Sequence, residues 1–395
     1  MPSFDLLVKP VSFDCNMACD YCFYRRAEAL YGAGAHRMSE AVLEAMVWQL
    51  LALGFRESSF CWQGGEPMVA GLPFFRQVVA TQMRLGRSGQ TVANAIQTNG
   101  TLITGSWASF FRRYRFFVGV SVDGPREIHD AHRRTADSRS TFEATMAGIA
   151  ELRRRDVAFN ILCVVSDANV GRGAEVFRFF VEQGFRHVQF IPCVEGEASG
   201  KAASFSVDGA AYGAFLCDVF DEWLTYEEPR PCVRLFDALV EARVLGRPRF
   251  CVLANRCDRY LMVEHTGDVY PCDFFAFEEW RLGNLLETPL DDLHGNALHR
   301  QFAAQKATAH GACADCRWWS ICHGGCIKDR IALGGAPSAR TPLCEGLRRF
   351  FDHAMPEFDR LAERLQRTMR KEEAGARSAG PRPRPAPTRH PRERP

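Results

Sequence analysis

No stretch of the chain stays apolar long enough to cross a bilayer, so no membrane partner is expected. The start, "MPSFDLLVKPVSFD", lacks the basic opening and long apolar core of a secretory signal, which points to a cytoplasmic protein. Net charge is also scarce, at +2 overall. The last 25 residues hold seven Lys/Arg against three Asp/Glu, which leaves residues 1–370 with 42 basic and 44 acidic groups. A slightly acidic body excludes nucleic acid as an expected partner. The basic end, "GARSAGPRPRPAPTRHPRERP", lacks apolar periodicity and reads as a disordered tail over 371–395.

Cysteine, by contrast, is abundant. Sixteen thiols in a chain without an export signal argue against a disulfide framework. Five of them (Cys61, Cys163, Cys193, Cys217, Cys232) stand alone in apolar contexts and read as small buried hydrophobes. The other eleven are tightly spaced and call for a metal.

Along residues 5–195, short apolar runs alternate with amphipathic stretches. The runs at 5–13, 57–62, 92–98, 116–122, 157–165 and 187–191 read as strands. Between them lie helical segments beginning near Ser39, Pro73, Gly105, Thr141 and Ala174; Ser39 can cap the first, and Gly54 can end it. Strand–helix repeats imply an α/β fold with parallel strands, as a barrel or an open sheet, whose ligands gather at the strands' C-terminal ends. Both "CNMACDYC" and "QGGEP" follow a strand and fall at that rim. Helical segments at 209–226 and 232–246 lead into a cysteine-rich region, 251–344. There "RYLMVEHTGDVYPCD" reads as a hairpin turning at Thr266-Gly267-Asp268. A last amphipathic helix spans 345–369.

Cys15, Cys19 and Cys22 form a C-x3-C-x2-C loop that suits zinc or an iron–sulfur cluster. A four-iron cluster wants four thiolates, so three leave one iron open. Later come Cys251-x5-Cys257-x9-Gly267-x4-Cys272, then Cys313-x2-Cys316-x5-Cys322-x3-Cys326, then Cys344. Eight thiols suffice for two closed sites, and their spacing alone fits zinc as well as iron–sulfur.

The first loop, with Tyr21 before its last cysteine, resembles that of the radical S-adenosylmethionine (SAM) enzymes, and the second array resembles their SPASM domain. From about residue 5 to 355 the chain is most similar to anaerobic sulfatase-maturating enzymes. The resemblance is carried by "CDYCFY", "FCWQGGEPMVAGLPFF", "NAIQTNGTLI", "VGVSVDGPREIHDAHR", "VEHTGDVYPCDFF" and "CHGGCIKDR". It implies a partial (β/α)6 barrel over 1–205, a helical connection over 206–250 and a SPASM domain with C-terminal helix over 251–370.

The resemblance further implies three [4Fe–4S] clusters and SAM. Cys15, Cys19 and Cys22 would hold the first cluster; Cys251, Cys257, Cys272 and Cys326 the second; Cys313, Cys316, Cys322 and Cys344 the third. Tyr21, Gly64, Gly65, Glu66, Ser121, Arg133 and Val194 would border SAM. Asp273 would act as general base, and Tyr24 would border the substrate; Trp62, Phe74 and Phe75 read as core. The implied activity is oxidation of a sulfatase cysteine or serine to Cα-formylglycine, with an unfolded or peptide segment of the sulfatase as substrate. An electron donor such as flavodoxin or ferredoxin would be a further partner. The alternative is another SPASM peptide maturase, forming thioether or carbon–carbon cross-links. The chain departs from the family pattern at Asp258 (glycine), Phe274 (histidine) and Ile327 (proline), which bears on the peptide it accepts.

Overall fold

The strand-like runs form one parallel series, β1 (Asp5–Lys9), β2 (Glu57–Trp62), β3 (Thr91–Thr98), β4 (Phe117–Ser121), β5 (Phe159–Val165) and β6 (His187–Pro192). This is a computed structural model that describes residues 4–378 apart from 198, 308 and 310. Each strand pairs with the next, in registers such as Leu6 opposite Phe60 and Val120 opposite Thr98. Parallel strands in sequential order, joined by crossovers that follow the right-handed rule, place the connecting helices on one face. Residues on that face are fully buried: Leu6, Val8, Phe60, Trp62, Val118, Val120, Ile161 and Cys163. Each buried aliphatic or phenyl group there contributes about 2 kcal/mol. The alternate residues, among them Leu7, Cys61, Gln97, Ser121 and Leu162, are half-buried on the inner face. β1 and β6 do not pair with each other, so the partial barrel stays open.

Local chemistry sets the helix limits. Ser39 accepts a hydrogen bond from the Val42 N–H (3.2 Å) and caps the helix Glu40–Ala52. Asp208 does the same for Gly209–Leu224. Gly105–Tyr114 buries Trp107, Ala108, Phe110 and Phe111 against the sheet. Trp62 and Phe75 are fully buried, and Phe74 packs against them partly buried.

Four expectations change. β1 stops at Lys9 instead of running to residue 13, because Pro10 cannot donate to the ladder and Ser12 turns back with φ +48°. The cysteine-rich region is joined to the barrel as one sheet. Its hairpin strand β8 (Tyr260–Glu264) pairs parallel with β1, from Asp5 opposite Tyr260 to Lys9 opposite Glu264. β9 (Asp268–Tyr270) and β10 (Gly283–Asn284) extend that edge, while β7 (Cys232–Val233), in the expected helical connection, extends the other. The last helix runs Cys344–Ser378, past the expected start of the tail at 371; residues 379–395 lie outside those described. Of the five lone cysteines, Cys163, Cys193 and Cys217 are buried, but Cys61 faces the barrel interior half-buried and Cys232 donates to Asp237 at the surface.

The last helix packs on Gly209–Leu224 with the two backbones in contact at Gly346, and further along with Phe350 and Phe358 against Phe220. A β-carbon on Gly346 would stand 1.8 Å from the Gly209 carbonyl oxygen. No helix among the described residues is long and apolar enough to cross a membrane.

Candidate active site and thiol sets

The loop from Pro10 to Cys22 is clamped by the turn after β2. The Gly65 N–H donates to the Ser12 carbonyl (2.7 Å) and the Glu66 N–H to the Asp14 carbonyl (2.8 Å). Such closeness demands glycine: Gly64 has φ +134°, and a β-carbon on Gly65 would lie 2.1 Å from the Asp14 oxygen. The Glu66 carboxylate is fully buried. It accepts from the Thr98 hydroxyl (2.8 Å), the Asn99 N–H (2.8 Å) and the Met68 N–H (3.1 Å), and burial pushes its pKa up to about 7. Glu66 is therefore the strut of the turn. The N–H groups of Gly65 and Glu66 are taken up by the loop, and a ligand ammonium, itself a donor, would be met by carbonyl oxygens of the turn.

Cys15, Cys19 and Cys22 come together on this loop. Burial, with Glu66 and the two neighbouring thiols adding, pushes Cys15 up to about 12; burial pushes Cys19 to about 11. Three neighbouring thiols on one loop are soft donors that lose their protons to a bound metal, which fits an iron-bearing cluster.

Tyr21 and Arg133 converge on Asp123, just beyond β4. The Arg133 guanidinium donates to both carboxylate oxygens (2.8 and 3.2 Å), and the Tyr21 hydroxyl donates to one of them. The Val164 N–H completes the set at 2.9 Å. Asp123 is the hub here, although motif matching singles out its neighbours. Arg133 hangs from a short helix, Arg126–His132, that the apolar pattern does not disclose. Nearby, Ser121 accepts from the Gln97 amide (3.0 Å), and the buried Val194 carbonyl accepts from the Lys328 ammonium (2.7 Å).

The eight later thiols sort into two sets by mutual electrostatic reach. Burial pushes the half-buried Cys272 thiol up, with Asp273, Cys326 and Cys257 adding. Cys326 feels Cys251 and Cys257. In the other set Cys322 feels Cys344 and Cys313, and Cys344 feels Cys313 and Cys316. Each set gathers four soft donors, the number that a closed four-iron cluster requires.

Between the first loop and the Cys272 set stands Asp273. Its carboxylate lies 3.7 Å from the Lys9 ammonium on β1, a lysine only 1% exposed. That ammonium also sits 4.0 Å above the Tyr24 ring. The Tyr24 hydroxyl is donated to Glu264, a buried carboxylate on β8 that also accepts from Ser12 (2.8 Å). Tyr24 thus ties the segment after Cys22 to the hairpin. Cys61 faces the same interior, where burial, with Asp273 adding, pushes its thiol up to about 12. Lys9 and Glu264 escape sequence reasoning because each sits singly within an apolar strand.

Residues 10–180 match the radical SAM superfamily model, and residues 251–317 match SPASM, an iron–sulfur cluster-binding domain. A cysteine-type anaerobic sulfatase-maturating enzyme of Clostridium perfringens is 35% identical, over 93% of this chain and all of that protein. A serine-type anaerobic sulfatase-maturating enzyme of Bacteroides thetaiotaomicron is 33% identical over 91% of each chain. A solved structure of native anSMEcpe with bound AdoMet and Cp18Cys peptide superposes with TM-score 0.85 at 34% identity. It covers 92% of this chain and all of that one.

Proposed function

The chain belongs to the anaerobic sulfatase-maturating enzymes of the radical SAM superfamily, and from that premise we propose that it oxidises a cysteine or serine in a sulfatase segment to Cα-formylglycine. One observation carries the reading: a carboxylate next to a SPASM cysteine pairs, at 3.7 Å, with the inner-face lysine of the strand that leads to Cys15.

When bound, SAM and the three [4Fe–4S] clusters supply a 5′-deoxyadenosyl radical that takes a hydrogen atom from the target β-carbon, and a sink for one further electron. Cys15, Cys19 and Cys22 would hold the first cluster. The carbonyls of the Gly64–Glu66 turn would receive the SAM ammonium. Arg133, fixed by Asp123, would meet its carboxylate, with Ser121 and Val194 alongside ribose and adenine. Tyr21 would brace this arrangement through Asp123.

Asp273 takes the proton of the target thiol or hydroxyl. Its lysine partner, 3.7 Å away, holds it facing inward. Loss of one hydrogen atom, one proton and one electron turns a serine side chain into the aldehyde. A cysteine gives the thioaldehyde, which water converts to aldehyde with release of hydrogen sulfide. Cys251, Cys257, Cys272 and Cys326, and then Cys313, Cys316, Cys322 and Cys344, would hold the clusters that carry the electron off. A one-electron donor such as flavodoxin or ferredoxin would prime the first cluster. Sixteen free thiols suit the reducing cytoplasm.

The test incubates anaerobically reconstituted protein, SAM and reductant with peptides carrying Cys-x-Pro-x-Arg or its serine version, with an aldehyde trap. Trapped aldehyde on either peptide is the expected outcome, and the better substrate sets the type. A cross-linked peptide without aldehyde would reassign the chain to another SPASM maturase.

A further inference from the structure

Among the described residues three lysines are buried, and they differ in what neutralises them. Lys9 faces Asp273, and Lys328 faces Glu195 (2.7 Å) and Asp329 (3.6 Å). Lys306 is 0% exposed and, among the described residues, has no carboxylate within ion-pair distance. Its ammonium donates to two backbone carbonyls, those of Cys251 (3.0 Å) and Val252 (2.9 Å). Two neutral acceptors satisfy hydrogen bonds but leave the charge itself uncompensated, which is costly in a buried site.

The neighbours of Lys306 suggest what compensates it. It follows the helix Ala297–Ala304, whose Ala303 carbonyl accepts from the Cys257 N–H (3.2 Å). Its ammonium lies directly against the backbone of Cys251, a member of one thiol set. The two sets adjoin at this point, where His323, next to Cys322, bonds the Leu253 carbonyl two residues beyond Cys251 (2.8 Å). A four-iron cluster on four thiolates is anionic and gains negative charge when it takes an electron, and such charge effects set its potential.

We propose that Lys306 is the shared counter-ion of the two SPASM clusters, a fixed buried cation that raises both reduction potentials and favours passage of the electron away from the substrate. The inference rests on the reading that the eight later cysteines hold two iron–sulfur clusters. Lys306 is fully buried against the Cys251–Val252 backbone, so it acts as a tuning residue through the cysteines around it.

The experiment is an EPR-monitored redox titration of the anaerobically reconstituted full chain, with iron and sulfide assayed in parallel. Signals that do not respond to SAM report the SPASM clusters. In Lys306→Met their one-electron reduction should become about ten-fold less favourable, a fall of about 59 mV, while the SAM-responsive signal stays put. Lys306→Arg should retain most of the wild-type potential. Loss of SPASM iron in Lys306→Met but not in Lys306→Arg would likewise support the charge. Full iron with unchanged potentials in Lys306→Met would overturn the inference alone, and so would equal loss of iron in both variants. Wild-type protein holding only the SAM-responsive cluster would instead overturn the underlying reading, and this inference with it.

Discussion

Lys9 and Asp273 meet at 3.7 Å although 263 positions separate them in the chain, one on the first barrel strand and one beside a SPASM cysteine. The contact exists because β8 pairs in parallel with β1, which brings the hairpin's end over the barrel mouth. It gives the second half of the chain a group inside the first. Asp273→Asn keeps the shape and removes the proposed base. Aldehyde formation should fall by about 10²- to 10⁴-fold, while SAM cleavage, read by chromatography of 5′-deoxyadenosine, continues.

Lys9→Met leaves the mostly buried Asp273 carboxylate without its cation. Breaking such a pair from one side costs about 3 kcal/mol of stability, measurable as a lower urea midpoint. The double variant Lys9→Met/Asp273→Asn should recover part of that loss, since no lone charge remains.

Gly65→Ala would place a β-carbon where the Asp14 carbonyl oxygen stands, 2.1 Å away. The clamp on the cysteine loop must then open. Iron analysis should show one cluster lost while the SPASM clusters remain, and SAM binding should vanish with it.

His129 predicts an acid limit. Burial, with Arg133 adding, pushes its imidazole from 6.5 down to about 4. The unfolded chain therefore binds more protons between those values. The stability that neutral His129 contributes is complete above about pH 6.5 and is lost as pH falls towards 4, about 3 kcal/mol in all. His129 bonds Thr141 (3.2 Å), whose hydroxyl donates to the Arg133 carbonyl (2.7 Å), so the arginine loosens with it. His129→Leu should flatten the acid limb of a denaturant-midpoint-against-pH curve.

The legible part of this molecule was local. Ser39 announces its helix through a capping hydroxyl, and Gly105–Tyr114 falls where the apolar spacing puts it. The two cysteine arrays carry their own spacing. The hidden part was pairing across the chain. Nothing in "RYLMVEH" says that it will lie beside "DLLVK", because a strand's pattern fixes its buried face and leaves its neighbour open. Lys9 and Glu264 followed from that pairing and were missed with it. Asp123 was visible at the end of β4, but only the folded chain brings Arg133 and Tyr21 onto it.

The most direct test of the account follows a single hydrogen. A sulfatase peptide deuterated at the β-carbon of its target residue is incubated anaerobically with the reconstituted enzyme, SAM and reductant, and mass spectrometry reads both products. The account predicts deuterium in 5′-deoxyadenosine, matched one for one by peptide aldehyde. SAM cleaved without deuterium transfer, or transfer that ends in a cross-link instead of an aldehyde, would contradict it.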